Sequence, residues 1–251
     1  MSATVPLPTR RDETWRYSDL KALEPHWPLP EAEKITIPAG AGWDEVIILE
    51  GGADETIVRR IDLTLGWESI GNVHILNIGG GYSRFELTVT MDEEAEFNLG
   101  AAQIGGGSQN LEIVTNVKHD MPDGQSHQVV RSVLAGKATG TFLGKIDVAR
   151  NAQKTDAEQS IKAMLLDRTA TANAKPELEI FADDVKCAHG ATVGELDKQA
   201  LFYMASRGLP PAEARKLMLQ AFIGDAFVTL EDDEKRAMIE EKALAALEKI
   251  S

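Results

Sequence analysis

Between about residue 44 and residue 194 the chain alternates apolar and polar residues with a period of two. Phe85, Leu87, Val89 and Met91 alternate with Arg84, Glu86, Thr88 and Thr90. Leu111, Ile113, Thr115 and Val117 share one face, as do Ile61, Leu63 and Leu65, and again Leu178, Ile180 and Ala182. Successive side chains of a strand point to opposite faces, so each run reads as a half-buried strand. About ten such strands follow one another with no amphipathic helix between them. That excludes the alternating strand–helix order of Rossmann and TIM-type folds. Two turns, Ile78-Gly79-Gly80-Gly81 and Ile104-Gly105-Gly106-Gly107, lie one solenoid coil apart in sequence. A sandwich, a jelly roll and a parallel β-helix all fit this pattern.

The flanks read differently. Residues 1–43 are rich in Pro and Trp. Arg10–Leu23 can form a short helix capped by Thr9, and Pro25, Pro28 and Pro30 then end it in an extended linker. From Asp197, an N-cap, the chain becomes helical. Gly208 stops the first helix, Pro210 and Pro211 open a second running to about residue 228, and Asp232 and Asp233 start a third that ends at Ile250. The expected division is an N-terminal helical element with linker (1–43), a β core (44–194) and a C-terminal helical bundle (195–251).

Forty acidic against 26 basic residues give a net charge of −14. A nucleic-acid or anionic-membrane surface needs a basic footprint, so both are excluded as partners. No apolar run is long enough for a membrane span or of signal-peptide type, which predicts a cytoplasmic protein. One cysteine, Cys187, rules out an internal disulfide, and no histidine has a metal-ligand spacing to it or to another histidine beyond His189. A complete private metal site is not expected. The glycine runs lack the Lys-Ser/Thr of a phosphate loop and read as tight turns.

Cys187 and His189 are the strongest candidates for chemistry. At i and i+2 of a strand they project side by side, a thiol and an imidazole suited to iron, sulfur or a persulfide. The plainer reading makes Cys187 a small buried hydrophobe and His189 a hydrogen-bonded residue at a strand–helix junction. A Cys–His nucleophile pair lacks a third, orienting group. His119 and Asp120 read as a solvated turn, and His127 as a polar residue facing with Val129 and Arg131 into the core. Asp183 and Asp184 would point to opposite faces of a strand, which argues against an acid/base pair cleaving a saccharide.

Three stretches carry a family resemblance: SVLAGKATGTFLGKIDVARNAQKTDAEQS, PELEIFADDVKCAHGATVGELD and LFYMASRGLPPAEA. Over about Gly124 to Phe227 the chain resembles the core of the SufB/SufD family of iron–sulfur cluster assembly scaffolds, closest to the SufD branch; WRYSDL resembles the family's opening more loosely. The resemblance implies a right-handed parallel β-helix core and a non-enzymatic subunit. It implies pairing with a SufB-like scaffold through the β-helix, with a nascent iron–sulfur cluster at that interface and no cofactor held tightly by this chain alone. His189 maps onto the residue proposed to act in cluster assembly, with Cys187 in the same motif. A SufC-like ATPase is expected on the C-terminal helices, at Leu201, Phe202, Tyr203, Arg207 and Leu209. Two alternatives stay open: a β-helix enzyme acting on a saccharide, and a homodimeric scaffold that pairs with itself.

Overall fold

The alternation becomes twelve parallel strands in the computed structural model, which describes residues 5–250; the first four residues and Ser251 lie outside it. The strands are β1 (Glu33–Ile37), β2 (Gly42–Leu49), β3 (Thr56–Leu65), β4 (Ile70–Asn77), β5 (Tyr82–Met91), β6 (Glu96–Gly105), β7 (Asn110–His119), β8 (Gln125–Leu134), β9 (Thr139–Val148), β10 (Asp156–Leu165), β11 (Thr171–Ile180) and β12 (Lys186–Gly194). Odd-numbered strands form one six-stranded sheet in the order β1-β3-β5-β7-β9-β11. Even-numbered strands form a second, β12-β10-β8-β6-β4-β2. The chain thus crosses from sheet to sheet at every turn and rises one strand per coil, which makes a two-walled parallel β-solenoid.

The period-two pattern fixes which side chains enter the bore. Phe85, Leu87, Val89 and Met91 all face inward and are buried, beside Ile61, Leu63, Leu65, Ile113 and Val117 from the same sheet. From the opposite wall come Ile47, Val73, Ile75, Phe97, Leu99 and Val130. Each such side chain contributes roughly 1.5–3 kcal/mol by leaving water. The glycine turns stack on one flank of the solenoid. Gly80 needs its φ of 69°, and a Cβ there would meet the Glu55 carbonyl at 2.6 Å.

The outer face of the second sheet is apolar too, through Leu76, Ala102, Ile104 and Val133. Two helices cover it: α3 (Pro211–Gly224) and α4 (Asp233–Ile250), which follow α1 (Leu20–Leu23) and α2 (Lys198–Ser206) in the chain. Leu219, Ile223, Phe227, Leu230, Ile239, Ala243 and Leu247 close the seam. The C-terminal helices therefore share their core with a solenoid wall. The turn at Asp225–Phe227 lies so close to β6 that no side chain fits at Gly100, where a Cβ would collide with the Ala226 carbonyl. Arg131 pins the same turn, donating from Nε and Nη2 to Asp225 at 2.8 and 2.6 Å.

Two N-terminal expectations change. Strand β1 falls within the segment read as linker, because Ile35 and Ile37 alternate correctly to extend the first sheet beside β3. The helix expected over Arg10–Leu23 is instead a single 3-10 turn, Glu13–Trp15, followed by the short α1, whose cap is Asp19. The Thr9 hydroxyl accepts from Arg11 N–H at 3.3 Å, and the Thr9 carbonyl from Asp12 N–H at 3.0 Å. The break lets this segment lie on the outer face of the first sheet. There the Trp15 ring covers the Arg84 guanidinium at 3.8 Å and the Ser18 hydroxyl donates to Glu112 at 2.9 Å.

Candidate functional site

The last coil ends the solenoid, and both of its strands have a free side. Among the described residues β12 pairs only with β10, and β11 only with β9. In the parallel register Cys187 sits beside Ala157 and His189 beside Gln159. Ala157 and Gln159 are buried and inward-facing, so Cys187 and His189 occupy the bore face of the final strand. The sequence expectation that the two share a strand face is met. They differ in surroundings: Cys187 is half-buried against a cluster of Ile146, Val148, Ala152, Ala157 and Ala182, whereas His189 is exposed.

Burial, with the Asp156 carboxylate, pushes the Cys187 thiol up. The group is therefore a protonated thiol at neutral pH and becomes a strong ligand only when a positive centre displaces the proton. Among the described residues no group of three or more His, Cys, Asp or Glu side chains stands together to hold a metal ion. Around the open end, Phe181 is 52% exposed and Val193 50%. A free strand edge beside exposed apolar side chains is a surface that another strand can extend.

The other histidines do not join this site. His119 was expected in a solvated turn but is fully buried at the end of β7. Its Nε2 pairs with the Ser126 hydroxyl at 2.8 Å, and burial lowers its pKa to about 4. Its parity gave the signal, since Leu111, Ile113, Thr115, Val117 and His119 are all inward. His127 reverses the other way. It was expected to face the core but is exposed on β8, because Ser126, Gln128, Val130, Ser132 and Leu134 fill the bore face. Those polar residues disguise the inward row as an outward one. Asp183 and Asp184 lie in the turn between β11 and β12, both exposed, and the Asp184 carbonyl accepts from Lys154 N–H.

The residues expected to meet an ATPase lie on and just after α2. None of α2 is buried. Phe202 is 77% exposed and Tyr203 is exposed beside Arg207, whose guanidinium lies 5.2 Å from the ring centre. Leu209 is half-buried after the Gly208 turn. Leu201, also half-buried, lines a cavity of about 360 Å³ with Leu165, Leu196 and Arg215. Sequence reasoning missed Gln128 and Gln159, the polar pair inside the bore, and the buried ion pair of Arg84 and Glu112 on the opposite wall.

Residues 34–222 match the family described as SUF system FeS cluster assembly, SufBD core domain. An iron–sulfur cluster assembly SufBD family protein of Synechocystis is 37% identical over 151 residues, 60% of this chain and 33% of that protein. The iron–sulfur cluster assembly protein SufD of Escherichia coli is 30% identical over 173 residues, 68% of this chain and 41% of its own length. The chloroplastic protein ABCI7 of Arabidopsis thaliana is 34% identical over 152 residues, 60% of this chain and 29% of that protein. The matched stretch is thus well under half the length of each of these relatives.

Proposed function

Because this chain belongs to the SufBD core family of the SUF system for iron–sulfur cluster assembly, we propose that it is a non-catalytic scaffold subunit that completes a cluster-building site at a protein–protein interface. The observation that carries the reading is the placement of Cys187 and His189 on the bore face of a strand with one free edge. A SufB-like β-helix adds its strands to that edge, covering Phe181 and Val193. One thiol and one imidazole are too few for a cluster, so the partner supplies the remaining ligands. The cluster is cargo here, formed at the joint and passed on.

The uncovered helix α2 is the docking element for a SufC-like ATPase, with Phe202, Tyr203 and Arg207 as its anchors and Leu201 and Leu209 at their margin. Its exposed aromatics contribute nothing to the packed seam beneath α3 and α4.

Size-exclusion chromatography with light scattering, on the chain alone and mixed with SufB-like and SufC-like chains from the same source, tests the assembly. We expect one complex of all three. Phe202→Ala with Tyr203→Ala should release the ATPase and keep the scaffold pair. His189→Ala should leave the complex intact and reduce the cluster formed on it. Normal cluster yield from that variant would remove His189 from the site. Self-association at β12 without any partner would instead favour a homodimeric scaffold.

A further inference from the structure

One inward row of the second sheet changes character along the solenoid axis. Val73 and Leu99 are followed by Gln128, Gln159 and His189, each the register partner of the one before. The Gln128 carbonyl accepts from the Thr115 hydroxyl at 3.0 Å, and its amide nitrogen has no partner among the described residues. Gln159 is 1% exposed, and neither atom of its amide has a hydrogen-bond partner among the described residues. The amide reaches across the bore: a Cβ on Gly144, in the opposite sheet, would meet its nitrogen at 2.8 Å.

A free amide is costly in such a place. The next inward row holds Val130 and Ile161, so the bore accepts aliphatic side chains at this level. A glutamine held there calls for a hydrogen-bonding partner. On the adjacent strand, about 4.8 Å away, the same row holds His189 and the neighbouring row holds Cys187. An amide carbonyl is the usual second group behind a working imidazole, since it accepts from one ring nitrogen and leaves the other free.

We propose that Gln159 is a positioning residue for His189, its amide carbonyl accepting an imidazole N–H when the ring turns into the bore. The conformer described has the ring exposed; the inward conformer is the one Gln159 holds. One ring tautomer is then selected, and the opposite nitrogen is presented along the axis toward whatever covers the last coil. The functional consequence rests on the scaffold reading above, but the hydrogen bond itself does not.

The test is nitrogen-15 NMR of histidine-labelled full chain, comparing wild type with Gln159→Met and Gln159→Glu at neutral pH. Circular dichroism checks the fold, and Gln159→Leu replaces the methionine variant if that one fails to fold. A hydrogen bond of ordinary strength changes the ratio of the two neutral His189 tautomers by about two- to tenfold. We expect that change in Gln159→Met, whereas Gln159→Glu, which keeps an acceptor, should favour the wild-type tautomer at least as strongly. The same His189 spectrum in wild type and in the apolar variant would overturn the proposal. So would a Gln159→Glu spectrum matching Gln159→Met. Because the readout needs neither partner nor cluster, an unaltered cluster yield in His189→Ala would remove His189 from the cluster-building site and leave this result untouched.

Discussion

His119 shows how much one side chain can add to the acid response of this fold. Burial lowers its pKa from 6.5 to about 4, so the folded protein keeps the ring neutral. The unfolded chain takes up a proton near pH 6.5 and the folded chain only near pH 4. The stabilisation is thus complete above the unfolded value and is lost as pH falls through the window between them. From pH 7 to pH 5 the loss is about 2 kcal/mol. In His119→Gln, which has no ring to protonate, the difference in urea-unfolding free energy between those two pH values should shrink by that amount. An undiminished difference would mean that the folded state binds the proton readily. His74 is held neutral in the same way, its pKa lowered to about 4 by burial, and pairs through Nε2 with Thr229 at 3.0 Å beneath the loop leading into α4.

At the scale of elements, the N-terminal strap and the first sheet are joined by a buried ion pair. Arg84 Nη1 donates to Glu112 at 2.5 Å and both side chains are 1% exposed. Ser18 and Tyr82 also donate to Glu112, while Arg84 reaches Glu86 and the Thr14 carbonyl. Removing one charge of a buried pair strands the other and costs about 3–5 kcal/mol. Glu112→Leu should therefore lower the unfolding free energy by that much, read from urea titration. It should also open the segment around Arg10 to trypsin. A loss below 1 kcal/mol would show that the strap is held by Trp15 and its neighbours alone. Sequence exposed the strands wherever the inward row is apolar, as at Phe85 to Met91, and exposed Cys187 with His189 because i and i+2 need no knowledge of pairing. It concealed the strap, since Arg84 reads as the polar half of an alternation until a covering segment is known. It concealed Gln159 for the same reason: its neighbour His189 lies a whole coil away, and only register brings them together.

Across the whole molecule, protection of the backbone follows from where each coil sits. Middle strands are paired on both sides and buried on both faces where α3 and α4 lie; β11 and β12 have one free side and mostly exposed or half-buried residues. A solenoid's stability is roughly a sum of coil and neighbour contributions, so the end coil opens first. Hydrogen–deuterium exchange should find 171–194 faster than 96–134, and slowed when a scaffold partner is bound. Equal rates in both regions would mean that the solenoid opens only as one unit. The spacing between stacked residues varies from coil to coil, from 26 between Arg60 and Glu86 to 32 between Thr141 and Asn173, and the turns take up the difference. Strand order within each sheet nevertheless follows the order of the chain without exception. No strand has to insert between two that were made before it. Each coil can therefore pair with the one that precedes it in sequence, and α3 and α4 come after every strand of the wall they cover. Such a solenoid can be assembled in the order of its sequence, and the coil that comes after all the others is the one whose free edge carries His189.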